Sequence, residues 1–190
     1  MMHMRISGII LATVALAATA AMAQVKQEQP TSALKGHNTN APVDVTADRI
    51  EVQERADRAV FSGNVHATQA DLTLDTPRLT VAYATGAGNQ NVQIKRLDAA
   101  GGVVVHDPSE TAKGDFGVYD LDRKLITLIG NVQLTRENNQ VNGARLVIDL
   151  NSGRAVIDGG PPGVNSSGGR VTGHFTVPQQ QSAQPQPKQK

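Results

Sequence analysis

The chain has 190 residues, with 18 Lys+Arg against 17 Asp+Glu and no Cys. Such balanced charge gives no global attraction to nucleic acid or to an anionic membrane. The absence of Cys excludes disulfides, a lipid-modified cysteine and cysteine-ligated metal. Only 3% of the residues are aromatic, so a core must be filled mostly by Val, Leu, Ile and Ala.

Residues 1–23 have the pattern of a secretory signal peptide. Arg5 precedes an apolar run from Ile6 to Ala20, and Ala21-Met22-Ala23 places small residues where signal peptidase reads them. A membrane anchor is the alternative, but a spanning helix needs about 20 apolar residues. We therefore expect cleavage after about Ala23 and an exported, soluble protein.

The rest of the chain divides by composition. Residues 24–41 are polar and without a period, which predicts a linker. Residues 178–190 form a Gln/Pro/Lys-rich tail that cannot bury apolar area, which predicts disorder. One domain is therefore expected over residues 42–177.

Strand signals dominate this domain. Apolar residues alternate with polar ones in many short runs, and Gly, Asn, Asp or Pro separates the runs every 8 to 12 residues or so. This pattern, without any long helical period, predicts an all-β barrel, sandwich or jelly roll. The runs include Val43-x-Val45, Phe61-x-Gly63-x-Val65, Leu79-x-Val81-x-Tyr83, Tyr119-x-Leu121, Ile126-x-Leu128, Val132-x-Leu134 and Leu146-x-Ile148-x-Leu150.

A repeat appears without gaps at an offset of 67 residues. Asp48 aligns with Asp115, and Gly63-Asn64-Val65 aligns with Gly130-Asn131-Val132. A stack of similar strand pairs buries a continuous core and leaves open edges at its ends. Glycines in the middle of strands indicate bulges or bends.

These repeated residues carry a family resemblance. The segments Ala47-Asp48-Arg49 and Ser62-Gly63-Asn64-Val65, with the second copies Gly114-Asp115 and Gly130-Asn131-Val132, resemble the OstA-like domain family. The resemblance covers about residues 42–158. It implies an incompletely closed, twisted antiparallel β-jelly roll.

The resemblance also implies a function. Proteins of this family carry lipopolysaccharide non-covalently across the periplasm, from the inner to the outer membrane, with its acyl chains in an apolar β groove. Its implied partners are lipopolysaccharide, the OstA-like domains of inner- and outer-membrane transport proteins, and further copies stacked end to end. No cofactor and no enzymatic activity are expected, and the periplasm is the implied location.

Alternation identifies the side chains that should share the inward face, and the resemblance makes them candidates to line a lipid path. The same alternation would be seen if these side chains only formed a packed core. They are Val43, Val45, Phe61, Val65 and Ala67 in the first unit, Val104 or its neighbours between the units, and Tyr119, Leu121, Ile126, Leu128, Val132 and Leu134 in the second unit.

Charged and catalytic candidates are fewer. Arg78, Arg145 and the pair Lys95-Arg96 could meet phosphates at a groove mouth, although solvated edge charge is the commoner explanation. The histidines lack metal-ligand spacing, and the chain has no Walker loop, dinucleotide fingerprint or nucleophile elbow. The alternatives are a polysaccharide-binding or adhesion module, and a polysaccharide-processing enzyme on a β-solenoid.

Overall fold

The computed structural model describes residues 34, 37–85, 92–160 and 169–177. The predicted signal peptide, residues 24–33 of the predicted linker and the predicted tail lie outside these residues. Ten strands form one antiparallel sheet, which confirms the all-β prediction. They are β1 Val43–Thr46, β2 Arg49–Gln53, β3 Arg58–Gln69, β4 Leu72–Thr85, β5 Val92–His106, β6 Glu110–Asp120, β7 Leu125–Arg136, β8 Asn139–Asp149, β9 Arg154–Asp158 and β10 Thr172–His174.

The sheet does not close. Strands β3 to β8 pair in sequence order, β1 and β2 both pair with β3, and β9 and β10 both pair with β8. Within the described ranges, β1 and β2 therefore form one free edge and β9 and β10 form the other. Beyond strands, the model shows a single short 3-10 turn at Glu54–Ala56, and no helix in the described ranges is long and apolar enough to cross a membrane.

The 67-residue repeat is a repeat of topology. Strands β1 and β2 together occupy the place in the first unit that β6 occupies in the second, and β3 and β4 correspond to β7 and β8. Strand β5 of the first unit corresponds to β9 and β10 of the second. Arg154 on β9 and Thr172 on β10 pair with β8 at the positions that correspond, 67 residues on, to those where Arg96 and Val104 on β5 pair with β4. Strands β9 and β10 thus supply this edge of the sheet, from the Gly-rich region 151–173 in which the sequence pattern did not place the strands.

A line of bulges crosses the sheet at one level. The register shifts at Ser62/Val65 between β3 and β4, and again between every following pair up to β7 and β8. Because a bulge bends a strand and increases its twist, every long strand bends near its middle. The long strands are thereby divided between two leaves. We call them the upper leaf (residues 43–46, 65–76, 103–113 and 132–142) and the lower leaf (49–62, 78–85, 92–100, 116–129 and 145–158).

The repeated Gly-Asn pair builds this bend twice. Gly63 and Asn64 have φ angles of +78° and +44°, which glycine and asparagine tolerate best. The Asn64 Nδ2 donates to Asp48 Oδ2 at 2.9 Å, and Asn131 makes the same 2.9 Å bond to Asp115 in the second unit. An aspartate that occupies the same position in both repeats therefore connects each Gly-Asn bulge to the neighbouring strand by a hydrogen bond.

Gly63→Ala should destabilise the fold more than Gly102→Ala does. A Cβ at Gly63 would overlap the Asp48 carboxylate, and it would also occupy a positive-φ position. Such backbone strain alone costs about 1–3 kcal/mol. Gly102 also has a positive φ, +97°, but no described atom lies within 4 Å of the added Cβ. Urea denaturation measures both losses, and equal losses would contradict a role for the aspartate clamp.

Candidate functional site

The inner surfaces of the two leaves carry continuous apolar rows that run across the strands. One row of paired residues passes through the lower leaf and contains Leu79, Leu128 and Leu146, each fully buried. Its members, in sheet order, are Ile50, Phe61, Leu79, Ala99, Gly117, Leu128, Leu146 and Ile157. Because the row extends onto strands at both free edges, the apolar surface reaches both ends of the sheet.

Two further rows complete the interior. The second row lies in the lower leaf and consists of Val81, Leu97, Tyr119, Ile126 and Ile148. The third lies in the upper leaf and consists of Val45, Ala67, Leu74, Val105, Ala112 and Leu134. All of these side chains belong to the hydrophobic core or pack against it.

Most of the sequence-predicted lining residues lie on this inner surface. Six are buried in the core, and five pack against it while partly buried: Val65, Ala67, Tyr119, Ile126, Leu128 and Val132, then Val43, Val45, Phe61, Leu121 and Leu134. Their role in lipid binding remains a prediction.

Val104 is the exception among the named residues. The sequence placed Val104 or its neighbours at this level, and the neighbours Val103 and Val105 are buried in the core, whereas Val104 between them is not. Gly101 and Gly102, both with positive φ, form a bulge just before them. The alternation continues through this bulge, because Leu97 and Ala99 before it are buried as well.

A narrow apolar cavity separates the leaves. Its volume is about 30 Å³, which is close to the share of one water molecule in the liquid. Its walls come from both leaves: Val43, Ala67, Thr68, Gln69, Leu72, Leu74 and Val105 from the upper leaf, and Leu97, Gly117, Val118, Tyr119, Ile126 and Leu128 from the lower leaf. The interior is therefore closely packed, and a larger guest must separate the leaves.

A buried hydrogen bond joins the leaves beside this cavity. The Tyr119 hydroxyl on β6 donates to Gln69 Oε1 on β3 at 3.0 Å, and burial raises the pKa of Tyr119 to about 12. The Gln69 Nε2 donates to the backbone oxygens of Thr39 and Ala41, at 3.1 and 2.9 Å. These two bonds fix the orientation of the Gln69 amide, so its oxygen points toward Tyr119.

His37 extends this network to the surface. Its Nε2 lies 3.2 Å from Gln69 Oε1 and its Nδ1 lies 2.8 Å from Asp71 Oδ1, while its side chain is only 1% exposed. The hydrogen bond from His37 is the main cause that lowers the pKa of Asp71. Because both oxygens are acceptors, the network is fully bonded when both ring nitrogens carry a proton. The linker prediction did not foresee this burial.

An open cavity of about 380 Å³ lies where the C-terminal segment meets the sheet. Its apolar lining includes Leu134, Val141 and Phe175, and its rim carries Glu110 and Arg136, whose side chains approach to 3.5 Å. Desolvation raises the pKa of Glu110, and the positive charge of Arg136 offsets part of that increase. The alternation of apolar residues in the sequence could not predict this cavity, because its lining residues lie far apart in the chain.

The predicted cations do not gather at a groove mouth. Lys95 bonds Asp122 at 3.2 Å, and Arg96 bonds Asp98 at 2.8 Å. Arg78 and Arg145 are exposed and precede the fully buried Leu79 and Leu146, so alternation places them on the outer face. The phosphate-binding role considered for these cations therefore has no common site in the described residues.

The part of the chain that the model describes holds no group of three His, Cys, Asp or Glu side chains placed to bind a metal ion. The nearest arrangement is on the outer face, where Asp75 lies 2.7 Å from His66 and 3.8 Å from His106. These side chains are about half exposed. They form a solvated charge cluster outside the interior.

Comparison with known proteins assigns the family. The family model described as "LptA/(LptD N-terminal domain) LPS transport protein" matches residues 44–154, more than half of the chain. The chain belongs to this family. An uncharacterised protein of Rhizobium meliloti (strain 1021) is 29% identical over 162 residues, which cover 82% of this chain and 81% of that protein.

A solved structure shares the fold of this lipopolysaccharide-transport domain. It is the crystal structure of LptH, the LptA-homologous periplasmic component of the lipopolysaccharide transport device of Pseudomonas aeruginosa. The TM-score is 0.63 and the identity 18%, and the match covers 74% of this chain and 99% of LptH. This likeness confirms the LptA-like, OstA-type fold that the sequence predicted.

Tyr119→Phe should lower the free energy of unfolding of this LptA-type domain by about 0.5–1.5 kcal/mol, the usual net contribution of one hydrogen bond. The ring that packs in the core stays, so only the bond between the leaves is lost. Urea denaturation measures the change. Tyr83→Phe is the matched control, because the Tyr83 hydroxyl makes no hydrogen bond to another described residue, and a loss as large in that control would argue against a bond between the leaves.

Glu110→Gln should raise the melting temperature at neutral pH relative to the parent protein, and by less near pH 4. A pKa above the ordinary 4.5 means that ionised Glu110 is less favourable in the folded than in the unfolded chain. The stability linked to its proton is present below the unfolded pKa and is lost as the pH rises through the folded pKa. Melting curves across this range, with the exposed Glu51→Gln as control, measure the difference. A melting temperature lowered at neutral pH would show that the Arg136 pair outweighs desolvation.

Proposed function

We propose that this protein is a periplasmic carrier that binds lipopolysaccharide by its acyl chains between the two leaves and passes it from the inner to the outer membrane. The observation that supports this proposal most directly is the set of apolar rows on the inner surface, one of which extends to both free edges of the sheet. A lipid path must be apolar along its length and open at its ends. Membership of a lipopolysaccharide-transport family supplies the identity of the lipid.

Binding of this kind needs no charged clamp. Covering one aliphatic side chain or an equivalent length of acyl chain contributes roughly 1.5–3 kcal/mol, so several contacts along the rows hold a lipid with multiple chains. The small volume of the cavity between the leaves implies that the leaves separate as the chains enter. The bulge line provides the hinge for this movement, because backbone pairing is already interrupted there.

The free edges suit the proposed partners. On β2, Ile50 and Val52 continue two inner rows but are more than half exposed, because no strand covers them. At the opposite edge, Ile157 and Ala155 continue the same two rows on β9. Strand addition at these edges would join the interior to that of a related transport domain or of another copy, and the energy for lipid movement would come from such partners.

Photo-crosslinking tests the path. A photoreactive residue at Phe61 or at Leu128, both on the inner surface, should form adducts with lipopolysaccharide. The matched controls are Phe116 and Ile129, which are an aromatic and an aliphatic residue on exposed strand positions, 55% and 44% exposed. Adducts are detected by gel shift and immunoblotting.

The expected result is strong labelling at the inner pair and little at the outer pair. Labelling that is equal at all four positions would mean that lipid contacts the surface non-specifically. Labelling confined to Phe116 and Ile129 would place the lipid on the outer face. Either result, or no adduct at any position in a folded protein, would overturn the interior path.

A further inference from the structure

Among the described residues before β1, Leu34 and His37 are buried against the sheet. We call Leu34 and residues 37–41 the N-terminal strap. Leu34 is 4% exposed and belongs to the hydrophobic core. It lines a small cavity with Leu72, Val105, Ala112 and Ile148, which come from both leaves. The leucine therefore fills space between the leaves, at the end of the sheet where β4 and β6 begin.

The strap is attached differently from every other part of the core. Its described backbone hydrogen bonds are local, such as His37 N–H to Leu34 C=O at 3.3 Å and Ala41 N–H to Asn38 C=O at 3.1 Å. Within the described residues, its hydrogen bonds to the sheet all involve the side chains of Gln69 and Asp71. The strands, in contrast, are held by continuous backbone ladders.

This difference determines which apolar group can leave. The cavity between the leaves has a volume of only about 30 Å³, so acyl chains that enter there must replace something or push the leaves apart. Removing a strand breaks a ladder, whereas removing the strap breaks a few side-chain bonds and exposes one leucine. Elements with few backbone bonds to their surroundings open first.

We propose that the N-terminal strap is a displaceable plug. In the protein without lipid, Leu34 fills space between the leaves beside the apolar rows, and the Tyr119–Gln69–His37–Asp71 network holds the strap in place. When acyl chains enter, they take the place of Leu34 and the strap moves into solvent. This inference rests on the proposed lipid path, and it adds an autoinhibitory contact that keeps the empty interior closed.

A single cysteine tests the plug, because the natural chain contains none. In Leu34→Cys the thiol is buried, so a charged, water-soluble thiol reagent should label it slowly. Saturating lipopolysaccharide should raise the labelling rate at least about ten-fold, as expected when a protected site opens. The control Asn40→Cys lies on the same strap in an exposed position, and its rate should change little.

A second variant and a label-free measurement extend the test. Adding Gln69→Ala to Leu34→Cys removes the hub of the network, and it should raise the labelling rate without any lipid. In the unmodified protein, lipopolysaccharide should accelerate amide hydrogen exchange in residues 37–41 while the strands keep their protection. The exchange experiment does not depend on the folding of a variant.

The outcomes separate the two proposals. If a photoreactive residue at Leu128 captures lipopolysaccharide but Leu34→Cys and the amides of residues 37–41 stay protected, the plug is wrong and the carrier stands. If Leu128 captures nothing and the strap does not respond, the lipid path fails and the plug fails with it. Faster labelling at both Leu34→Cys and Asn40→Cys would indicate general loosening and would also refute the plug.

Discussion

Two of the bulges that bend the long strands are Gly-Asn pairs, and each depends on a carboxylate that holds it. The carboxylate of Asp48 accepts a hydrogen bond from the side-chain amide of Asn64, and that of Asp115 accepts one from Asn131, both at 2.9 Å. In each unit the glycine leaves no room for a Cβ beside the carboxylate. A sheet of ten strands without these bulges would twist but would not bring its upper and lower halves together. The core and the cavity between the two leaves follow from this line of bulges.

The interior combines close packing with few bonds between the leaves. Apolar rows from both leaves meet across a cavity of about 30 Å³, and the Tyr119–Gln69 hydrogen bond crosses between them. Apolar contact is non-directional, so a lipid chain can replace a protein side chain without loss of specific geometry. The directional interactions lie at the boundaries of the apolar surface. They are the polar network of Gln69 and His37 on one side and the Glu110–Arg136 ion pair beside the open cavity.

Much of the fold could be predicted from sequence because alternation and turn residues act locally. The inward positions of Val65 and Leu128 follow from counting in twos on either side of a recognised Gly-Asn bulge. The same count continues through the Gly101-Gly102 bulge of β5, from the buried Leu97 and Ala99 to the buried Val103 and Val105, and leaves Val104 on the other face. Leu34 and His37 lie in a polar stretch without a period, so only their distant contacts reveal their burial: Leu72 and Ile148 for Leu34, and Gln69 and Asp71 for His37. Arg78 and Arg145 were recognisable as a repeated pair, but their face depends on the strand register.

The two edges of the sheet are chemically different. At one edge β1 and β2 follow each other closely, separated only by Ala47 and Asp48, whereas at the other edge thirteen residues, 159–171, separate β9 from β10. A contact between one edge of a copy and the opposite edge of the next copy joins two different surfaces and is therefore heterologous. An assembly built through such contacts would have a head and a tail and would grow as an open row. The direction of such a row between two membranes would then follow from the difference between the two edges of each polypeptide.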